Sequence, residues 1–145
     1  MIRQDLHIDR YDWDVCIFYD ATPRYSSVIM RELWRCGIAP EKFYKAAGLL
    51  EEGRSDTGLT YTNFRDRMTV IVIGRVSGWG EAINTVSHEA DHLCDHISGY
   101  YGIPLGSEEN AYMHGDILQQ IIEEAANEIG GQLKAAWRYY LDRTY

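Results

Sequence analysis

The chain has 145 residues, enough for one domain whose core needs neither disulfide nor metal staple. Its formal net charge of −8, from 22 acidic against 14 basic residues, is unevenly spread, and the stretch between Arg75 and Lys134, with no Lys or Arg, argues against binding a phosphate backbone there. No apolar run approaches the length that spans a membrane, so the expectation is a single cytoplasmic domain over residues 1–145, with neither nucleic acid nor membrane as partner. The N-terminus, Met1-Ile2-Arg3-Gln4-Asp5, has no secretory apolar region. The three cysteines, Cys16, Cys36 and Cys94, are widely spaced among apolar residues, as expected of buried free thiols in a reducing compartment.

Tyr11 to Asp20, where Trp13, Val15, Ile17 and Tyr19 alternate with Asp14, Cys16 and Phe18, reads as a strand. Pro23 marks the following loop. Ser26 or Ser27 can cap a helix running to about Cys36, with Gly37 as its stop. Pro40 suits the first turn of a helix from Glu41 to Glu52, closed by Gly53, and Arg54 to Gly58 is turn-like. Leu59 to Asn63 and Met68 to Val76 then form two strands about the turn Phe64-Arg65-Asp66. Val70-Ile71-Val72-Ile73 is uniformly apolar and β-branched, as for a strand covered on both faces.

Ser77 can cap the next helix, which should end near Gly99. Tyr100 to Gly106, with Gly102 and Pro104, is a connection, and Ser107 starts a long helix. Ile117, Leu118, Ile121, Ile122, Ala125, Ala126 and Ile129 give that helix a core stripe. Gly130-Gly131 marks a kink before Leu133 to Tyr140, where Trp137, Tyr139 and Tyr140 cluster. The order β-α-α-β-β-α-α implies a small α+β domain, with a mixed or antiparallel sheet of about three strands packed by helices.

The helix before Gly99 carries the motif. His88-Glu89-Ala90-Asp91-His92 matches H-E-x-x-H, the signature of zinc hydrolases. Two imidazoles four residues apart lie one helical turn apart on one face and can reach a single ion. A glutamate beside the first histidine can take a proton from water on that ion. The helical phase agrees: Trp79, Ile83, Val86, Ala90, Leu93, Cys94 and Ile97 make one apolar stripe, and His88 and His92 project from the opposite side. No Lys or Arg occurs between Arg75 and Lys134, so the region is anionic: it attracts cations or is ordinary solubilising charge.

A catalytic zinc normally takes three protein ligands and leaves one position for water. His96 is eight residues from His88, about 12 Å along the axis, too far to share an ion bound at about 2 Å. It lines the cleft, orients a ligand or is merely exposed. Glu108 and Glu109, at the start of the following helix, are the remaining candidates, although first-turn acids also serve the helix dipole with no metal. Adjacent side chains point about 100° apart, so only one of the two can ligate.

His88-Glu89-Ala90-Asp91-His92 followed by Glu108-Glu109-Asn110-Ala111-Tyr112 resembles the gluzincin arrangement, H-E-x-x-H with a downstream helical glutamate. It is similar in particular to small H-E-x-x-H proteins of bacteriophages and mobile elements and to minigluzincin-type peptidases, over about Met68 to Ile117. The resemblance implies a zincin-like domain with zinc on His88, His92 and Glu108, and Glu89 as general base. Its E-x-x-A pattern selects Glu108 over Glu109. One departure is Asp91, where metallopeptidases usually carry an uncharged residue. No clear oxyanion donor stands out: Tyr100, Tyr101, Tyr112 and His114 can each serve, and each tyrosine is equally well read as a packing residue with its hydroxyl at the surface.

The expected function is therefore zinc-dependent hydrolysis, with a peptide or protein as substrate and the strand Thr69 to Arg75 as its platform if an edge of that strand is open. The alternative is a non-catalytic metal-binding protein of a phage or mobile element that acts by binding a partner.

Overall fold

The two most apolar runs of the chain lie side by side at the centre of the fold. A computed structural model describes residues 2–52, 58–74, 76 and 78–128. In it, β2 (Trp13–Ala21) and β4 (Met68–Gly74) pair in parallel, with Val15 opposite Thr69 and Ile17 opposite Ile71. β1 (Ile2–Ile8) runs antiparallel along β2, and β3 (Leu59–Asn63) antiparallel along β4. The domain is α+β, and its mixed sheet has four strands in the order β1-β2-β4-β3 rather than about three. The expected cap at Ser77, the closure at Gly53, the turn from Arg54, the strand residue Arg75, the stripe residue Ile129, the Gly130-Gly131 kink and the helix from Leu133 to Tyr140 with its aromatic cluster lie outside the described residues.

The added strand is β1, and the reason it escapes a hydrophobicity pattern is Gln4. This residue occupies a core position, 1% exposed, where alternation calls for an apolar side chain. Its amide donates to the Ile121 carbonyl at 3.2 Å and its oxygen accepts from the Tyr19 hydroxyl, so the burial carries no unsatisfied polar group.

Each face of the sheet is covered by a helix pair. Cys16, Phe18, Val70 and Val72 point to α1 (Ser26–Arg35) and α2 (Pro40–Glu51), where Ile29, Leu33 and Ala46 meet them. Trp13, Val15, Ile17, Ile71 and Ile73 point to α3 (Trp79–Tyr101) and α4 (Glu108–Glu128), against Ala90, Leu93, Cys94, Ile97, Met113, Ile117 and Ile121. The run Val70 to Ile73 is thus buried on both faces, as its composition requires.

Several local expectations shift. No side chain caps α1, because the 3-10 turn Pro23–Tyr25 runs straight into it and the Ser26 N–H is taken by the Pro23 carbonyl. Gly37, at φ +81°, ends that helix as expected. α3 continues past Gly99 to Tyr101 and stops at Gly102, whose φ of +70° places it in the left-handed region. The Ser107 hydroxyl caps α4 by accepting from the Asn110 N–H at 3.2 Å. Ile83 and Ile122, expected in the apolar stripes, are more than half exposed.

The order of strands fixes which edge a partner can use. β4 is hydrogen-bonded to β2 on one side and β3 on the other, so the expected platform from Thr69 has no open edge. Among the described residues the edge strand on that side is β3.

All three cysteines are buried and free. Burial pushes Cys16 and Cys94 up to about 12 and Cys36 up to about 11, so none offers a thiolate near neutrality. The folded protein is expected to react negligibly with a disulfide reagent at pH 8, and all three thiols to react after denaturation. A fast native-state thiol would contradict this packing.

Candidate metal centre

α3 presents three different flanks. At about 100° per residue, Asp91 and Ser98 lie roughly 60–80° to one side of His88, while Glu89 and His96 lie roughly 40–60° to the far side of His92. The first flank meets α4: the Asn110 amide donates to the Ser98 hydroxyl at 2.9 Å, and His114 Nδ1 lies 3.7 Å from Asp91. The second meets β3 through Thr60 and Thr62. His88 and His92 stand between the two, both exposed.

The two imidazoles converge. Their Nε2 atoms are 3.1 Å apart, and the rings stand edge to face with centroids 4.7 Å apart. Two nitrogens bound tetrahedrally to zinc at about 2.0–2.1 Å would be about 3.3 Å apart. The pair fits a divalent transition metal with little adjustment, and its exposure leaves room for further ligands.

Glu89, next to His88, turns inward and is only 4% exposed. Its Oε2 accepts a hydrogen bond from the Thr60 hydroxyl on β3. Its Oε1 lies where a side chain at residue 58 would be: a Cβ on Gly58 would stand 2.1 Å from Oε1 and 2.6 Å from the carboxyl carbon. Glycine there is a condition of the carboxylate's position. Among the described residues the polar partner of the buried carboxylate is Thr60.

One turn beyond His92, His96 is half-buried at the same seam. Its Nδ1 is 2.8 Å from the Thr62 hydroxyl, which is 2.8 Å from that of Thr69, which accepts from Trp13 Nε1 at 2.9 Å. Burial, then the nearby His92, pushes the His96 pKa down. Phe64 packs edge-on against the ring.

Glu108 is not brought to the imidazoles. It is exposed in the first turn of α4, and the short connection Gly102–Ser107 sets that turn beside the end of α3. There Asn110 meets Ser98, six residues and about 9 Å beyond His92 along the axis. Glu109 faces Arg10 at 3.7 Å. Among the described residues no three His, Cys, Asp or Glu side chains form a group able to hold a metal ion. The cause is length: α3 runs on from His92 to Tyr101, so a first-turn carboxylate on a returning helix starts too far down.

Three of the four possible oxyanion donors are engaged elsewhere, and Tyr112 is exposed. Tyr100 packs edge-on against Trp13 at 5.5 Å, the Tyr101 hydroxyl donates to the Tyr11 carbonyl, and Tyr112 is 66% exposed. His114 faces Asp91, which places the charge of Asp91 on the α4 flank, away from Glu89. What the motif could not disclose is the contribution of β3. Gly58, Thr60 and Thr62 carry no signature, and only the two-residue period of Thr60 and Thr62 hints that they share a face.

Comparison with protein-family models, with curated proteins and with solved structures returns no match. Among the described residues no helix is long and apolar enough to cross a membrane.

Proposed function

We propose that the protein is a zinc-dependent hydrolase acting on peptide bonds, with His88 and His92 holding the metal and Glu89 as general base. The observation that carries this reading is a Glu89 carboxylate buried and cradled by Gly58 and Thr60, on a helix whose adjoining flank carries two convergent imidazoles. Zinc supplies Lewis acidity and lowers the pKa of water toward neutrality. Thr60 occupies Oε2 of Glu89 and fixes the carboxyl plane. In this reading Oε1 accepts the proton of the attacking water and returns it to the leaving amine. Among the described residues β3 is an edge strand, and its outer side offers main-chain hydrogen bonds to an extended peptide.

The reading is tested by incubating untagged protein with a mixed peptide library, with and without chelator. Cleavage that the chelator abolishes and zinc restores supports it. A second reading, a non-catalytic metal-binding protein of a phage or mobile element that acts by binding a partner, is favoured by one observation: no third ligand joins the imidazoles among the described residues. Zinc binding with no cleavage of any peptide selects that reading.

The cradle gives a further expected outcome. Gly58→Ala pushes the carboxylate off its position, and misplacement by about 1 Å is expected to lower hydrolysis by about 10²-fold. Zinc content should be unchanged, because the three atoms nearest the added methyl all belong to Glu89. Measured kcat and metal content check both halves. Undiminished kcat would mean that the position of Glu89 is immaterial.

A further inference from the structure

The hydrogen-bonded row that ends on His96 has a direction. An indole N–H can only donate, so Trp13 fixes Thr69 as an acceptor. Thr69 is fully buried, and its own proton has Thr62 as its acceptor at 2.8 Å. The Thr62 proton then goes to His96 Nδ1. The reverse order would make Thr69 accept from both neighbours and strand its proton in the core, at a penalty of about 1–3 kcal/mol. Three residues from β2, β4 and β3 therefore make Nδ1 of His96 an acceptor and place the ring proton on Nε2.

The seam between α3 and β3 also has an order. Glu89 meets Thr60 and His96 meets Thr62, with His92 between Glu89 and His96 along the helix. A general base and an N–H donor thus line one side of the imidazole pair, the base level with it and the donor one turn beyond His92. A carbonyl under attack from the Glu89 side develops its negative charge away from the base.

We infer that His96 is a third functional imidazole: held as the neutral Nε2–H tautomer by Trp13, Thr69 and Thr62, it donates that N–H to the carbonyl oxygen of a peptide lying along β3 and stabilises the charge that develops there. The inference rests on the hydrolase reading for its substrate, but the tautomer does not. Thr62 is a positioning residue, acting through His96.

The first test uses metal-free full-length protein labelled with 15N-histidine, in which long-range proton–nitrogen correlation reads the tautomer of each ring. Wild type should give His96 protonated on Nε2, and Thr62→Val, which removes the hydroxyl at nearly constant volume, should mix the tautomers. The second test measures peptide cleavage and zinc content of His96→Ala and His96→Gln. His96→Ala should lose about 10²–10³-fold in kcat at unchanged zinc content, and His96→Gln, whose amide N–H replaces Nε2–H, should recover part of it. A wild-type ring protonated on Nδ1, a tautomer indifferent to Thr62→Val, or an active enzyme whose kcat ignores His96→Ala would each overturn the inference. A wild type that cleaves no peptide while His96 keeps its Nε2 proton would overturn the hydrolase reading and the donor role with it, leaving the relay intact.

Discussion

Replacing Glu89 with glutamine is expected to leave zinc in place and to lower peptide hydrolysis by about 10²–10⁴-fold, the usual worth of a positioned general base. Glutamine has the same shape, so Thr60 can still donate to its amide oxygen and the cradle over Gly58 stays filled. What disappears is the ability of Oε1 to take a proton. His88→Ala and His92→Ala should lose metal and activity together, because each removes one of the two nitrogens that stand 3.1 Å apart. The contrast between these variants separates proton transfer from metal retention. Full turnover by the glutamine variant would rule out Glu89 as the base.

The second large effect is on stability. Leu93, the residue after His92, is fully buried against the sheet and α4. Leu93→Ala should lower the unfolding free energy by about 2–5 kcal/mol, out of a total of about 5–15 kcal/mol for a domain. That corresponds to a fall in Tm of about 10 °C. Urea denaturation of the metal-free protein checks it, with a lower midpoint and an unchanged slope. Ile83→Ala is the control: Ile83 is 57% exposed, so its change should stay within about 0.5 kcal/mol. A Leu93→Ala variant as stable as wild type would mean that α3 is not anchored on the sheet.

Much of this was legible in the sequence, for reasons that differ by element. The run Val70 to Ile73 declares a doubly covered strand because every position must be apolar, and the structure buries all four. The convergence of His88 and His92 follows from helix geometry, which tertiary context does not alter. The strand Ile2–Ile8 was not legible, because its core position Gln4 is satisfied by partners more than ten residues away, Tyr19 and Ile121. Nor was the second wall of the site. Glu89 and His96 are seated by Thr60 and Thr62, whose facing depends on β3 lying at the sheet edge beside α3. Glu108 illustrates the converse: spacing along the chain places it near the motif, but the helix between them runs too far.

Zinc content tests most directly whether the imidazole pair holds a metal. Protein purified without a histidine tag, loaded with zinc and dialysed, should retain about one zinc per chain, as expected for one such site. His88→Ala and His92→Ala should each retain none, while Glu108→Ala should retain as much as wild type. Absence of zinc from the wild type, or its persistence when both histidines are replaced, would contradict the account.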